Sequence, residues 1–201
     1  MFLRSFTKKN CRFIWLDLET TGFNIFHNSI IEIAAMDSDG NEFSTLVRYL
    51  RPLPKKIIKI TGITDEMLGG QPDIESALRA FLEFMKDNNK TDKKRVTYIV
   101  GHNLYGFDLP FLKAQCKKYG LKFPKCNKLD TLRMAQLMLP DQYSHSLKNL
   151  CILFNIDNKN AHRAMSDVRA TYIVYNNLAL MFNSKYKNAS PNMIIHETQF
   201  T

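Results

Sequence analysis

Residues 12–22 read RFIWLDLETTG, a run of bulky apolar side chains that breaks off in acidic and then small residues. Arg12 to Leu18 has the composition of a buried strand, and one that stops at acidic residues is a strand ending at a site. Alternation along a strand puts residues i and i+2 on one face, so Asp17 and Glu19 point at one spot. Two carboxylates a few ångströms apart repel each other unless a cation lies between them, and a hard divalent metal relieves that conflict. Taken alone, D-x-E at a strand end is ordinary loop solvation, and other parts of the chain have to decide.

Working outward, Ile30 to Met36 reads as a second strand, Asp37 to Gly40 as a turn, and Phe43 to Leu50 as a third strand, which gives an antiparallel meander. Pro52 and Pro54 end it. Thr64, Asp65 and Glu66 start a short helix through Met67 and Leu68 that Gly69 and Gly70 close. Ile74, Ala77, Leu78, Phe81, Leu82 and Met85 recur at helical spacing, so Asp73 to Lys86 is an amphipathic helix. The stretch 87–95, DNNKTDKKR, is a solvated charged loop. Val96 to Val100 is a short strand leading into Gly101, and Phe111 to Tyr119 is a helix closed by Gly120. Helices follow at Thr131 to Leu139, Ser146 to Phe154 and Arg163 to Phe182. Asn183 to Thr201 lacks periodicity and reads as a tail, partly disordered or packed on the surface. Strands first and helices on their faces later describe an α/β sandwich.

With 201 residues, 45% of them hydrophobic, the chain suffices for one domain with a core of its own. A net charge of +9 favours polyanionic partners, nucleic acid first, although many basic proteins are merely lysine-rich and soluble. Cys11, Cys116, Cys126 and Cys151 form no C-x-x-C pair, which argues against a zinc site and against a disulfide framework. No apolar run approaches the roughly 20 residues that span a bilayer, so no membrane partner is expected. The opening MFLRSFTKKN is too short and polar for a secretory signal. The expectation is a soluble intracellular protein of cytoplasm or nucleus, with organelle targeting left open.

Two further constellations carry acids. Asp108 in GHNLYGFDLPFLK follows the fourth strand and precedes a helix, the sheet exit where α/β folds build sites; its plain reading is a helix N-cap. His162 and Asp167 in HRAMSD flank a helix start. A loop histidine and a first-turn aspartate converge there, the histidine to take a proton and the aspartate to hold a metal. The plain alternative is an exposed histidine beside an aspartate that suits the helix dipole.

Together DLETTG at 17–22, GHNLYGFD at 101–108 and HRAMSD at 162–167 resemble the three motifs of the DnaQ-like, or DEDDh, exonucleases. That family includes polymerase proofreading subunits, ribonuclease T, oligoribonuclease and the three-prime repair exonucleases. IIEIAA at 30–35, KITGITDEML at 59–68, LDTLRMAQ at 129–136 and SLKNL at 146–150 extend the likeness, so an exonuclease domain over 12–182 is expected. The resemblance implies a ribonuclease-H-like fold, a mixed five-stranded sheet flanked by helices. It implies a 3′-to-5′ exonuclease that releases nucleoside 5′-monophosphates, with two Mg²⁺ or Mn²⁺ ions in the two-metal arrangement.

Carried over by motif, Asp17, Glu19, Asp108 and Asp167 would be metal ligands, with Asp17 between the ions and His162 as general base. The sister class has a tyrosine where this chain has Arg163, so the histidine subclass fits. The likeness puts the terminal 3′ hydroxyl by Leu18, Glu19 and Thr20, with Phe23 and Phe107 stacking on the last bases and Ile60 and Ile63 nearby; core packing is the alternative for each. His102 and Asn103 read as scaffolding. Three residues separate His102-Asn103 from Phe107-Asp108, as in three-prime repair exonucleases, where proofreading subunits commonly have two; Ser144 to Ala170 is closer to the bacterial proofreading type.

DNA is favoured over RNA, and single-stranded 3′ ends over duplex. An exoribonuclease is the first alternative, and a catalytically silent binding module or polymerase partner the second. A structural protein with accidental acidic clusters is the third. A polymerase, docked through the tail, or a second copy of the chain is the protein partner the family admits. Losing one of four mutually repelling carboxylates is expected to cost no stability.

Overall fold

The computed structural model describes residues 11–86 and 95–186. The opening segment, most of the charged stretch 87–95 and the tail beyond Tyr186 lie outside the described residues, so the expectations for them stand untested.

The stretch that opens the reading forms β1 (Cys11–Thr20), the middle strand of a five-stranded sheet. β1 pairs antiparallel with β2 (Ile30–Asp37), which pairs antiparallel with β3 (Glu42–Leu46). Its other edge pairs in parallel with β4 (Val96–Gly101), which pairs in parallel with β5 (Asn127–Asp130), so the order is β3-β2-β1-β4-β5. This is the mixed five-stranded sheet that the resemblance implies.

Alternation along β1 divides the core into two layers. Phe13 and Trp15 face one side, with Tyr98, Leu129 and a long helix, α7 (Ala164–Lys185), which contributes Val168, Tyr175, Leu178 and Phe182. Ile14, Leu16 and Leu18 face the other, against α3 (Ile74–Met85) and α4 (Asp108–Lys118). α5 (Thr131–Met138) and α6 (Leu147–Leu153) complete the first layer. A third cluster, Ile31, Leu53, Ile63 and Leu68, closes the sheet's flank where α1 (Lys55–Thr61) and α2 (Asp65–Gly69) lie.

Several boundaries differ from the sequence reading, each for a local reason. The third strand stops at Leu46 because, after Val47, the Arg48 amide leaves the sheet to donate to Pro72 O. α1 was not anticipated: KKIIKIT is rich in β-branched residues, and tertiary burial of Ile57 and Ile58 overrides that propensity. Gly62 closes it in the left-handed region at φ 68°. β5 was missed because, in four residues, Leu129 is its one apolar side chain. α4 begins at Asp108 rather than Phe111, since Pro110 falls in the first turn, where a missing N–H costs nothing. α7 runs to Lys185, which takes Asn183, Ser184 and Lys185 out of the expected tail.

One polar knot locks the far end of the sheet. The buried Arg12 guanidinium donates to Asp37 Oδ2 at 2.7 Å and to the carbonyls of Phe84, Met85 and Lys86 at the end of α3. Burial alone would raise the Asp37 carboxyl, but hydrogen bonds from Asn41 and Arg12 outweigh it and hold the group below the usual carboxylate range. Arg12→Ala leaves a buried carboxylate and three carbonyls without this donor. Urea denaturation should register a loss of about 3–5 kcal/mol; a loss below about 1 kcal/mol would show the knot to be dispensable.

Candidate active site

At its C-terminal end the first-layer face of β1 turns from aromatic to acidic: Phe13 and Trp15 are followed, two residues apart, by Asp17 and Glu19. Antiparallel β2 adds an acid at the same end of the sheet, because Glu19 lies opposite Glu32 and Asp17 opposite Ala34. Three carboxylates thus leave one face of two paired strands, and a bulge between Glu19 and Thr20 ends the regular register there. The start of α7 supplies a fourth, Asp167.

Asp108 arrives from the opposite layer. The β1–β4 pairing stops at Trp15↔Val100, so beyond it that edge of β1 lacks a strand partner. Asp108 fills the gap: its Oδ1 accepts from Leu18 N at 3.1 Å. The expectation that losing one of these carboxylates costs no stability therefore needs correction at Asp108, because alanine would strand a buried amide donor. Asparagine keeps the acceptor and is the cleaner substitution.

His162 is exposed, in the left-handed region at φ 66°. That conformation is uncommon for a residue with a Cβ and needs holding. His162 N donates to Asp167 Oδ2 at 2.9 Å, while Asn158 Nδ2 donates to Asp167 Oδ1 at 2.7 Å. One ligand atom each from Glu19, His162 and Asp167 lies within 4.8 Å of the others. The loop histidine and first-turn aspartate do converge.

The site repels itself. Burial, then Asp108, Asp167, Glu19 and Glu32, push the Asp17 carboxyl well above its usual range. Burial followed by Asp167, Glu32 and Asp108 raises Glu19 to about 8. Asp108 and Asp167 are also raised by burial, in spite of the N–H groups that each accepts. The arrangement holds carboxyls that resist ionising together, a conflict that a bound cation would relieve.

Sequence reasoning missed three supporting side chains. Glu32, 2% exposed, accepts from the Arg163 guanidinium at 3.1 Å and from Ala164 N at 3.1 Å, which ties the start of α7 to β2 beside His162. Its signal was present: one acid in the otherwise apolar IIEIAA demands a buried partner. Asp130 accepts from Asn103 N, Tyr105 N and Leu132 N, which shapes the loop from His102 to Phe107. Asn158, third, was invisible because only the folded loop brings it to Asp167.

The scaffolding role expected of His102 and Asn103 has a geometry. Thr131 Oγ1 donates to Gly101 O, so it accepts from His102 Nδ1 at 3.0 Å, and burial lowers the His102 pKa to about 4, leaving it neutral. Asn103 turns the loop at φ 62°. A Cβ at Gly106 would meet Asn103 Oδ1 at 2.5 Å, so a larger residue there would have to push the Asn103 side chain aside.

The expected substrate contacts separate. Phe23, 83% exposed, meets the half-buried Phe107 edge to face with centroids 5.8 Å apart, next to Asp108. Leu18 points into the second core layer, as packing alone would have it. Thr20 is buried and donates to Gly22 O, Ile60 stands at the surface of α1, and Ile63 packs in the third cluster.

The α/β sandwich gathers carboxyls and a histidine at one sheet end, and comparison with known proteins gives the family. A family model described as Exonuclease matches residues 14–175. The chain belongs to this exonuclease family. It is 37% identical over 163 residues to a PolC-type DNA polymerase III of Halalkalibacterium halodurans, covering 79% of this chain and 11% of that one. It is 35% identical over 167 residues to the DNA polymerase III subunit epsilon of Aquifex aeolicus, covering 81% and 78%. The chain thus spans about a tenth of the PolC-type relatives and most of the epsilon subunit. Exonuclease I of E. coli, solved with a dT13 oligonucleotide, shares the fold at a TM-score of 0.74 and 18% identity, over 88% of this chain and 42% of that one. No helix among the described residues is long and apolar enough to cross a membrane.

The raised carboxyls set a pH dependence. Because the folded Glu19 pKa lies near 8, above its ordinary 4.5, its contribution to stability is complete below about 4.5 and is lost as pH rises through about 8. In EDTA the melting temperature should fall between pH 5 and 8. Excess Mg²⁺ should reduce the fall, and Glu19→Gln should lessen it while the other raised carboxyls keep part of it; a level EDTA profile would contradict this account of the site.

Proposed function

We propose that the chain is a metal-dependent 3′-to-5′ exonuclease acting on DNA, with single-stranded 3′ ends as its substrate and nucleoside 5′-monophosphates as products. The observation that carries this reading is the convergence of Asp17, Glu19, Asp108 and Asp167 with His162 at the end of β1. Family membership supports it, as do relatives named for DNA polymerase III.

The residues suit hard divalent cations. Carboxylate oxygens dominate, burial and mutual repulsion raise the carboxyls, and the oxygens of Glu19 and Asp167 lie within 4.8 Å of each other with the His162 ring beside them. Asp17, Glu19, Asp108 and Asp167 would hold two Mg²⁺ or Mn²⁺ ions. Bound there, the ions supply positive charge against the carboxylates and the scissile phosphate.

His162 takes the proton of the attacking water; oxygen adds to phosphorus, the bond to the 3′ oxygen breaks, and the shortened strand leaves with that oxygen protonated by solvent. Asp167, which accepts from the His162 backbone N–H, fixes the loop that carries the imidazole. The Arg163–Glu32 pair fixes the loop's other side. Phe23 and Phe107 offer aromatic faces beside Asp108 on which unpaired bases stack with little sequence preference. The relatives' names make a polymerase the protein partner to test before self-association.

His162→Ala should lower kcat by about 10²- to 10⁴-fold and leave cation binding, followed by calorimetry, within a few-fold of the parent. The decisive assay is digestion of 5′-labelled DNA and matched RNA in Mg²⁺. A ladder shortening from the 3′ end, strongest on single-stranded DNA and lost in His162→Ala, supports the proposal. No cleavage of any strand would leave a silent binding module; faster RNA trimming would reverse the substrate.

A further inference from the structure

Beside the candidate active site lies a groove that none of the motifs includes. It has a volume of about 620 Å³ and is walled by the β1–β2 loop, by Arg51 and by the second half of α4. Its lining includes Phe26, His27, Arg51, Gln115, Lys117 and Lys118, and no carboxylate. Arg51, Lys117 and Lys118 are exposed and form no ion pair among the described residues.

Phe26 is 84% exposed, an unfavourable place for a large aromatic, yet the loop holds it there. Phe26 N donates to Asn24 Oδ1, Asn28 N to Asn24 O, Asn24 N to Asn28 Oδ1 and Asn28 Nδ2 to Thr21 O. Thr21 N and Ser29 N close the loop's neck. A structured loop that offers a phenyl ring to solvent next to three cations, of which Arg51 and Lys118 lie only over the rings of Tyr49 and Tyr119, combines a stacking face with phosphate binders.

The groove also continues the site. The same loop carries Phe23 onto Phe107, and α4 begins at Asp108. At 1.5 Å per residue, Ala114 to Lys118 lie about 9–15 Å along the helix from Asp108. That is the span of about three to four nucleotides stacked at about 3.4 Å.

We propose that this groove binds the single-stranded segment upstream of the scissile end, with Arg51, Lys117 and Lys118 on its phosphates and Phe26 against a base. The inference rests on the exonuclease reading. A strand long enough to reach the groove gains affinity from it; a substrate confined to the catalytic end does not.

The test compares the parent with Arg51→Ala/Lys117→Ala/Lys118→Ala and with Phe26→Ala on two substrates, a twelve-nucleotide dT strand and the p-nitrophenyl ester of thymidine 5′-monophosphate. For the strand, KM should rise at least about tenfold in the triple variant and about tenfold in Phe26→Ala, with kcat unchanged within about twofold. For the ester, both constants should stay as they are. Binding of the fluorescent strand in EDTA should lose about two units of its log–log salt slope in the triple variant, about 0.7 per phosphate contact. Equal strand KM values and equal salt slopes across the three proteins would overturn the groove and leave it a surface for some other partner. A parent that hydrolyses neither substrate would overturn the exonuclease reading, and the EDTA slopes alone would then decide whether the groove binds a strand.

Discussion

A strand hydrogen-bonded along both edges cannot shift by one residue without carrying every side chain into the opposite layer. β1 is such a strand, antiparallel to β2 on one side and parallel to β4 on the other. Its odd positions run Phe13, Trp15, Asp17, Glu19 and its even ones Ile14, Leu16, Leu18. Slippage would bury two carboxylates against α3 and α4 and move Ile14, Leu16 and Leu18 into the layer of α7, so the core and the acidic site are specified by one register. The Arg12–Asp37 knot holds the same register at the other end, where it ties β1 and β2 to the last carbonyls of α3.

Given that register, the acids are held less by attraction than by backbone amides that have no other partner. Leu18 N holds Asp108 and His162 N holds Asp167, while Ala164 N and the Arg163 guanidinium hold Glu32. The strand edge and helix start whose amides would otherwise go unsatisfied are also the places that gather negative charge. Folding supplies the donors and the fold tolerates the repulsion, which a bound cation relieves.

Much of this was legible in the chain. Period-two alternation located β1 and its carboxylates, and helical spacing located α3 and α7 near their true limits. Legibility failed where an element owes its existence to neighbours. α1 reads as strand-forming residues until Ile57 and Ile58 find their cluster, and β5 carries one apolar side chain because β4 and the first-layer helices supply the rest of its burial. Side chains with a local signature, such as Asp17 or His162, were found. Asn158 acts through a partner 9 positions away and Asp130 through loop amides 25 and 27 positions away, and no spacing rule reaches them. Glu32 lies between these cases: its burial was inferable, while its partner 131 positions on was not.

Asp130 carries a different kind of consequence. The loop from His102 to Phe107 is shaped by a carboxylate that is not part of it: two of its amides and that of Leu132 converge on one side chain at the end of β5. A loop moulded on an outside post can gain or lose a residue between its fixed points while its ends keep their positions. The spacing between His102-Asn103 and Phe107-Asp108 is thus free to drift during divergence without displacing Asp108.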